Sequence, residues 1–279
     1  MDQLIGTVIG RWYVSIFGVV FAWSAIRHLG AKRTALYTVI AVVVGIIAEN
    51  GSVWIGFPYG YYTFNEALRG RELWVGNVPL MVPLSYTFMA YFAFATGRLL
   101  VAGPYRTRGD APGLEFAVAV MAAVWILWIV DPVSRLGENF ILGHLFRYRD
   151  DGFWFGLHLQ SQLGFTLTSV ILVGLLTWLA ADEPNRPVAG LLQHPRLAGL
   201  GGCLGQLFFM AGTALWVSRT TQDPAVARDA ATLAGAAILI LVPAAMMTAV
   251  YWRSLRVQSV PVVVREKSHR PGSRDVRAA

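Results

Sequence analysis

Long runs of apolar residues, separated by shorter polar stretches, extend along most of the chain. A helix that crosses a bilayer needs about 20 mostly apolar residues. Seven runs have roughly that length, and they lie at about 5–26, 34–55, 78–101, 114–131, 156–180, 198–218 and 232–252. The pattern predicts an all-α, polytopic integral membrane protein with about seven transmembrane helices, which form a single domain over residues 1–252.

The first run is the weakest of these predictions, because Arg11 lies inside it. A cleaved signal peptide is the alternative interpretation. However, no basic segment precedes the apolar run and no clear small-residue cleavage site follows it. We therefore interpret the run as a helix.

Two of the connections are long and rich in aromatic residues, and they span residues 56–77 and 132–155. The connections 27–33, 102–113 and 219–231 have the composition of plain polar linkers. Each aromatic connection follows an even-numbered helix, so both lie on the same side of the membrane for either orientation of the chain. We expect the two connections to meet around one pocket.

Composition supports a membrane protein and excludes several other classes. Of the 279 residues, 56% are hydrophobic and only 14% are charged, and Cys203 is the single cysteine. So few charges could not cover the surface of a soluble protein of this size. Disordered, coiled-coil, collagen-like and disulfide-rich proteins have other compositions. One cysteine also excludes an intrachain disulfide and a cysteine metal cluster.

Most of the net charge of +7 lies in residues 253–279, which alone carry +5. A basic segment after the last apolar run is typical of a cytoplasmic topology determinant. We interpret it as a disordered cytoplasmic tail rather than a nucleic-acid-binding arm. We expect the protein in the cell membrane, a bacterial inner membrane, with its C-terminus in the cytoplasm. Without the tail, the two sides would carry equal numbers of basic residues, so the orientation depends on it.

Glu49 and Asp131 occupy equivalent places, each at the end of an apolar run that precedes an aromatic connection. A carboxylate at this depth is costly unless it is paired, hydrated or neutral. Two such groups could divide the roles of general acid and base. The alternative is that they only cap helix ends and bond to their neighbours. Because Pro132 disfavours a helical conformation in the residue before it, we expect the helix to end at Asp131.

Aromatic residues accompany these acids, and their faces could stabilise a cation or pack against a long apolar ligand. The expected pocket contains Tyr59, Tyr61, Tyr62, Tyr86, Trp128, Trp154 and Phe155. The alternative is that they form the aromatic belts found at membrane interfaces. Three polar residues complete the candidate site: Asn50 and Gln160 as substrate-binding residues, and His158 as a catalytic base.

The chain lacks the sequence motifs of several cofactor-dependent activities. No Walker motif, GxGxxG, GxSxG or DDxxD occurs, since the pair Asp150–Asp151 is followed by Trp154 at the position of the third acid. His158 could also be a metal ligand, but the histidines show none of the HxxxH, HxxH or ExxH spacings of di-iron sites. We therefore expect no metal ion and no cofactor.

An ordered set of motifs extends over residues 45–165. A glutamate at a helix end is followed by a G-x-PYxY loop, a P-x-x-x-PL helix start and an Asp-Pro pair. These residues are Glu49, Pro58, Tyr59, Tyr61, Pro79, Pro83, Leu84, Asp131 and Pro132. The arrangement resembles the membrane carotenoid hydratases, the CruF-type family of carotenoid biosynthesis proteins. Segment 152–164 is similar to the family's G-x-YYG-x-PLxNFLGW, with Ser161 and Gln162 in place of Asn-Phe.

The resemblance implies an enzyme, a hydro-lyase, that adds water to a terminal isoprenoid double bond of a carotenoid without a redox cofactor. In our hypothesis Glu49 or Asp131 protonates the alkene, aromatic faces hold the cation, and the other acid or His158 deprotonates the attacking water. The partners are the lipophilic polyene or isoprenoid and membrane lipids, without nucleic acid.

Two alternatives remain from the sequence. A cyclase or isomerase of a polyene or terpenoid would use the same protonation and exclude water. A transporter would use the two acids as proton or cation sites. Transporters often consist of two matching halves, and helix, acid, aromatic loop and helix follow one another at 34–101 and again at 114–180.

Overall fold

The computed structural model describes residues 2–136, 145–150 and 152–258, and in these the chain forms eight α-helices and four short β-strands. The helices are α1 (Asp2–Gly10), α2 (Trp12–Leu29), α3 (Ala31–Ile55), α4 (Met81–Ala102), α5 (Pro112–Ser134), α6 (Leu159–Leu179), α7 (Leu197–Thr220) and α8 (Pro224–Gln258). The strands are β1 (Tyr62–Phe64), β2 (Trp74–Val75), β3 (Val78–Pro79) and β4 (Phe146–Tyr148). Seven of the helices, α2 to α8, are long and apolar enough to cross a membrane. The prediction of an all-α polytopic membrane protein is confirmed.

The first predicted span differs from the structure, because the helix is broken at Arg11 into α1 and α2. The Arg11 guanidinium forms a bidentate ion pair with Glu72, with Nε–Oε2 and Nη2–Oε1 distances of 2.7 Å and 3.0 Å. The backbone leaves the helical conformation at this residue. The spanning helix therefore begins at Trp12 rather than near residue 5.

Two connections are shorter than predicted. Gly30 alone separates α2 from α3, with a φ of +83° that favours a residue without a side chain. Residues 221–223 alone separate α7 from α8. The apolar segment of α8 covers Pro224–Leu241, earlier than the predicted 232–252, and the helix continues to Gln258. Residues 259–279 of the predicted tail lie outside the described residues.

Helix α4 lies at the centre of the bundle, where it packs against α2, α3, α5, α6 and α7. Most of its side chains are buried. A Cβ atom added at Gly97 would lie 2.6 Å from the backbone nitrogen of Ala119, so the glycine allows α4 and α5 to approach closely. The outer helix faces are apolar, as expected for contact with lipid rather than water.

The two aromatic connections meet at one end of the bundle, as the helix parity predicts. Strands β1 and β4 pair in antiparallel orientation, with Tyr62 opposite Tyr148 and Phe64 opposite Phe146. A second antiparallel pair, β2 and β3, forms within the first connection. We call this end of the molecule the paired-loop end. Residues 137–144 and 151 of the second connection lie outside the described residues.

Helix α5 continues one turn past Asp131, to Ser134, so the expectation that it ends at Asp131 is wrong. Pro132 has no N–H to donate to the carbonyl of Trp128, four residues earlier. The indole Nε1–H of Trp154 donates to that carbonyl instead, at 3.0 Å. Because the second connection satisfies the freed acceptor, the helix tolerates the proline in its last turn.

A buried charged cluster joins the helices at the opposite end. Glu183 accepts hydrogen bonds from Arg98 at 2.8 Å and from Arg196, and contacts His28 at 3.3 Å. Arg98 also pairs with Glu115 at 3.1 Å. Although burial alone would raise the pKa of Glu183, the His28 hydrogen bond and the charges of both arginines lower it. The cluster thus holds an ionised carboxylate between α2, α4 and the start of α7.

Candidate functional site

A cavity lies beneath the paired-loop end and extends into the bundle between α2, α4, α5 and α7. Together with its opening it contains about 900 Å³ of space not occupied by protein atoms. Glu49 and Asp131 both line this cavity, which confirms the expectation that the two acids converge on one pocket.

Glu49 lies six residues before the end of α3 and is 6% exposed. The hydroxyl of Tyr62, from β1, donates to its Oε2, and the hydroxyl of Tyr86, from α4, lies 2.5 Å from its Oε1. Each carboxyl oxygen therefore has its own tyrosine partner. The carboxyl group is held by the first aromatic connection on one side and by the central helix on the other.

The hydrogen bonds continue from Glu49 to α6 through a series of hydroxyl groups. The Tyr86 hydroxyl lies 2.9 Å from that of Tyr59, which lies 2.8 Å from the Thr168 hydroxyl on α6. Thr168 donates to the backbone carbonyl of Gly164 at 3.0 Å. We call the connected side chains the hydroxyl chain, which consists of Tyr62, Glu49, Tyr86, Tyr59 and Thr168.

Asp131, in contrast, faces the cavity without such partners. No donor of the described residues lies within hydrogen-bond distance of its carboxylate oxygens, while Glu49 and Arg135 are near enough to interact with it electrostatically. The Arg135 guanidinium lies over the ring of Tyr148, 5.5 Å from its centroid. The two acids therefore differ: one is fixed by hydroxyl groups and the other is available to a ligand or water.

The tyrosines of the paired loops remain neutral donors. Burial, followed by the charge of Glu49, raises the pKa of Tyr62 well above its usual value. Burial and the charge of Asp131 likewise raise the pKa of Tyr148, whose hydroxyl donates to Ser161 at 2.9 Å. Neither group is a source of phenolate near neutral pH.

Most of the cavity wall away from the two acids is apolar. It includes Val14, Phe17, Phe88, Met89, Phe165 and Met210. Gln206, from α7, is a polar member of the wall, and its amide donates a long 3.3 Å bond to the carbonyl of Gly202. A ligand that fits this shape has a long apolar body and a reacting end beside the acids.

In the described part of the chain, no group of three or more His, Cys, Asp or Glu side chains is placed to hold a metal ion. The chemistry available at the cavity from these residues is proton transfer by carboxyl groups next to aromatic rings.

Comparison with known proteins gives the family. The family described as "Carotenoid biosynthesis protein" matches residues 10–222, about three quarters of the chain. The chain belongs to this family. Searches of curated proteins and of solved structures gave no match. The matched range contains α2 to α7, and every residue that lines the cavity lies within it.

Membership gives this carotenoid biosynthesis protein a biosynthetic role and a lipophilic substrate, and its seven candidate spans make it a multi-pass membrane protein. The family part of the resemblance is thus confirmed. An apolar cavity that opens among membrane-spanning helices is compatible with such a substrate.

Three predicted polar residues, near the end of α3 and at the start of α6, do not line the cavity. His158 Nε2 contacts the carbonyl of Asp150 at 2.6 Å. Gln160 donates to the carbonyl of Gly56 at 2.5 Å. Asn50 donates to two backbone carbonyls and accepts from the backbone N–H of Asn77. Their polar groups are directed at loop backbone, which fixes the loops over the site.

The remaining predicted aromatic residues are also outside the wall. Trp128 and Trp154 lie with ring centroids 5.8 Å apart, next to the proline turn of α5. Phe155 adopts a φ of +48° and its carbonyl accepts from Arg135 at 3.0 Å. Tyr61 is 47% exposed. Of the predicted set, Tyr59, Tyr62 and Tyr86 line the cavity with the two acids.

The sequence interpretation missed Thr168, Gln206 and Arg11 as parts of the site. Thr168 and Gln206 lie within apolar helices that have no clear polar face, so nothing in the pattern distinguishes the inward side. Arg11 was noticed only as a weakness of the first span. It lines the cavity wall as half of the buried pair with Glu72.

We expect Glu72→Gln to destabilise the protein by about 3–5 kcal/mol, because loss of one partner leaves the buried Arg11 charge without its counter-charge. Denaturation of the purified protein in detergent micelles measures the change. Glu66→Gln, which removes the exposed pair with Arg69 in the same connection, is the matched control and should have little effect. Equal stability of the two variants would contradict a stabilising role for the buried pair.

Proposed function

We propose that this carotenoid biosynthesis protein adds water to a terminal carbon–carbon double bond of a lipophilic polyene. The single observation that carries the proposal is the pair of carboxyl groups, Glu49 and Asp131, that face one largely apolar cavity lined by aromatic rings. Family membership supports the substrate class, and the resemblance to carotenoid hydratases supports the reaction.

The reaction consists of two proton transfers and the addition of one water molecule. One carboxyl group gives its proton to the less substituted carbon of the terminal double bond, which leaves a tertiary cation on the more substituted carbon. The rings of Tyr62 and Phe146 line the cavity where this charge develops, and aromatic faces attract cations. Water attacks the cation, and the second carboxylate takes the proton that the water loses. No electrons are exchanged with a cofactor. The proton taken from water then returns across the cavity to the first carboxyl group, which closes the cycle.

The cavity faces the side of the membrane opposite the C-terminal segment in this proposal. Helix α7 ends and α8 begins at the paired-loop end, so α8 leads back to the other end of the bundle. With the basic segment in the cytoplasm of a bacterial cell, in accordance with the positive-inside rule, the reacting end of the substrate lies near the outer surface of the cell membrane.

Lipid extracts of the native host and of a strain that lacks the protein test the proposal. We expect the deletion strain to accumulate a polyene with an unmodified terminal double bond and to lose the corresponding tertiary alcohol. Accumulation of an acyclic precursor together with loss of a cyclic product would instead indicate a cyclase, which uses the same first protonation. An unchanged set of pigments would contradict an enzymatic role and favour transport.

A further inference from the structure

The number of protons in the hydroxyl chain is informative about Glu49. Its members are joined by four hydrogen bonds, and Thr168 makes a fifth to the backbone. The four hydroxyl groups of the chain carry one proton each, and one proton serves one linear hydrogen bond. Five hydrogen bonds therefore require a fifth proton, and the only other group that could carry it is the carboxyl group of Glu49.

The geometry agrees with a carboxyl proton on Oε1. Thr168 donates to a backbone carbonyl, so Tyr59 must donate to Thr168, and Tyr86 then donates to Tyr59. The Tyr86 proton is then used in the bond to Tyr59. The proton in the 2.5 Å contact between Tyr86 and Glu49 therefore comes from the carboxyl group. Tyr62 approaches the other oxygen, Oε2, and donates to it in either protonation state.

An ionised Glu49 needs a different arrangement. The Tyr86 hydroxyl then has to turn its proton from Tyr59 to Oε1, and the four hydroxyl protons leave one of the five hydrogen bonds unmade, either between the two tyrosines or from Thr168 to the Gly164 carbonyl. Turning of one hydroxyl group thus converts a network suited to the neutral acid into one suited to the carboxylate, without movement of the backbone.

We propose that Glu49 is the proton donor of the reaction, and that Tyr86 and Tyr59 act as positioning residues that hold its proton and release it by a reversal of the Tyr86 hydroxyl. The inference rests on the proposed function for the identity of the acceptor, a terminal alkene. The O–H bond of Glu49 Oε1 breaks, a C–H bond forms at the less substituted alkene carbon, and the electron pair left on Oε1 accepts a hydrogen bond from the Tyr86 hydroxyl, which keeps its proton. Asp131 is left as the base that deprotonates water.

The groups that face Glu49 come from every element around it. They are Tyr62 of β1, Tyr59 of the same connection, Tyr86 of α4, Asp131 of α5 and Tyr148 of β4. The charged side chains nearby are Arg135, beside Asp131, and Arg11 in the cavity wall, which is paired with Glu72. No cation of the described residues forms an ion pair with Glu49, so no counter-charge holds its carboxyl group in the ionised form.

Infrared difference spectroscopy of the purified resting protein tests the inference without turnover. We expect the carbonyl band of a protonated carboxylic acid at neutral pH that is absent from Glu49→Gln and retained in Asp131→Asn. In Tyr59→Phe the neutral acid loses the acceptor of the Tyr86 proton, so the band should disappear at a pH about one unit lower. In Tyr62→Phe the carboxylate loses a charge-assisted donor, so the band should persist to a pH about one unit higher.

Tyr37→Phe is the matched control, because its buried hydroxyl donates to the carbonyl of Thr87 and it lies outside the cavity wall. It should leave the titration unchanged. A wild-type protein without the Glu49 band at neutral pH, or shifts of equal sign in the Tyr59 and Tyr62 variants, would overturn the inference. The expected band in a protein that forms no alcohol would leave the assignment standing and refute the proposed function. Alcohol formation by a protein whose band belongs to Asp131 would support the proposed function and refute the assignment of Glu49 as the proton donor.

Discussion

Substitution of Glu49 by Gln should abolish turnover while leaving the fold and substrate binding intact. The amide nitrogen would donate to Tyr86 and the amide oxygen would accept from Tyr62, so the side chain reproduces the contacts of the neutral acid. An amide does not transfer a proton to an alkene. General acid catalysis typically contributes about 10²–10⁴-fold. We expect a loss at the upper end of this range, because the variant has no acidic proton at this position.

Turnover per folded protein, measured by chromatography of the products in detergent or liposomes, checks this result. Glu115→Gln is the matched control, since it removes another buried carboxyl group, at the opposite end of the bundle. It should retain turnover in the fraction that folds. Near-normal activity of Glu49→Gln would exclude Glu49 as the donor, and failure of that variant to fold would favour a structural role for the carboxyl group.

Substitution of Asp131 by Asn should alter the products as well as the rate. Protonation of the alkene still occurs, but the attacking water no longer has a base in the cavity. The cation then loses a proton from carbon and returns an alkene, often with the double bond moved. We expect alcohol formation to fall by about 10²-fold or more and the ratio of isomerised alkene to alcohol to rise.

Mass spectrometry of the product mixture measures that ratio. Asp110→Asn, an exposed acid at the other end of the molecule, serves as the control and should leave the ratio unchanged. An Asp131→Asn variant that is slower but gives the same products would contradict the assignment of Asp131 as the base. The base that deprotonates water would then be a group other than Glu49 and Asp131.

The order of apolar runs was sufficient to predict the seven spans and the shared side of the two aromatic connections. Length and helix parity decide these features, and both are local or countable properties of the sequence. The same reasoning brought Glu49 and Asp131 together. The long-range contacts were not predictable in this way, because they depend on how the helices turn about their axes.

Two elements show where local rules were insufficient. Pro132 predicted a helix end, but a tryptophan 22 residues later supplies the missing donor to Trp128. Arg11 weakened the first span without indicating its partner, Glu72, which is 61 residues away. Thr168 could not be recognised as the end of the hydroxyl chain, because nothing in an apolar helix marks the side that faces Tyr59.

The most direct test of the central claim is incubation of the purified protein with an acyclic polyene in water enriched in ¹⁸O. The account predicts a tertiary alcohol that carries one ¹⁸O atom from the solvent, and one solvent deuterium on the adjacent carbon when D₂O is used. No redox cofactor should be needed. A product without solvent oxygen, whether a ring or a shifted double bond, would show that the cation is quenched without water and would contradict the assignment of a hydratase.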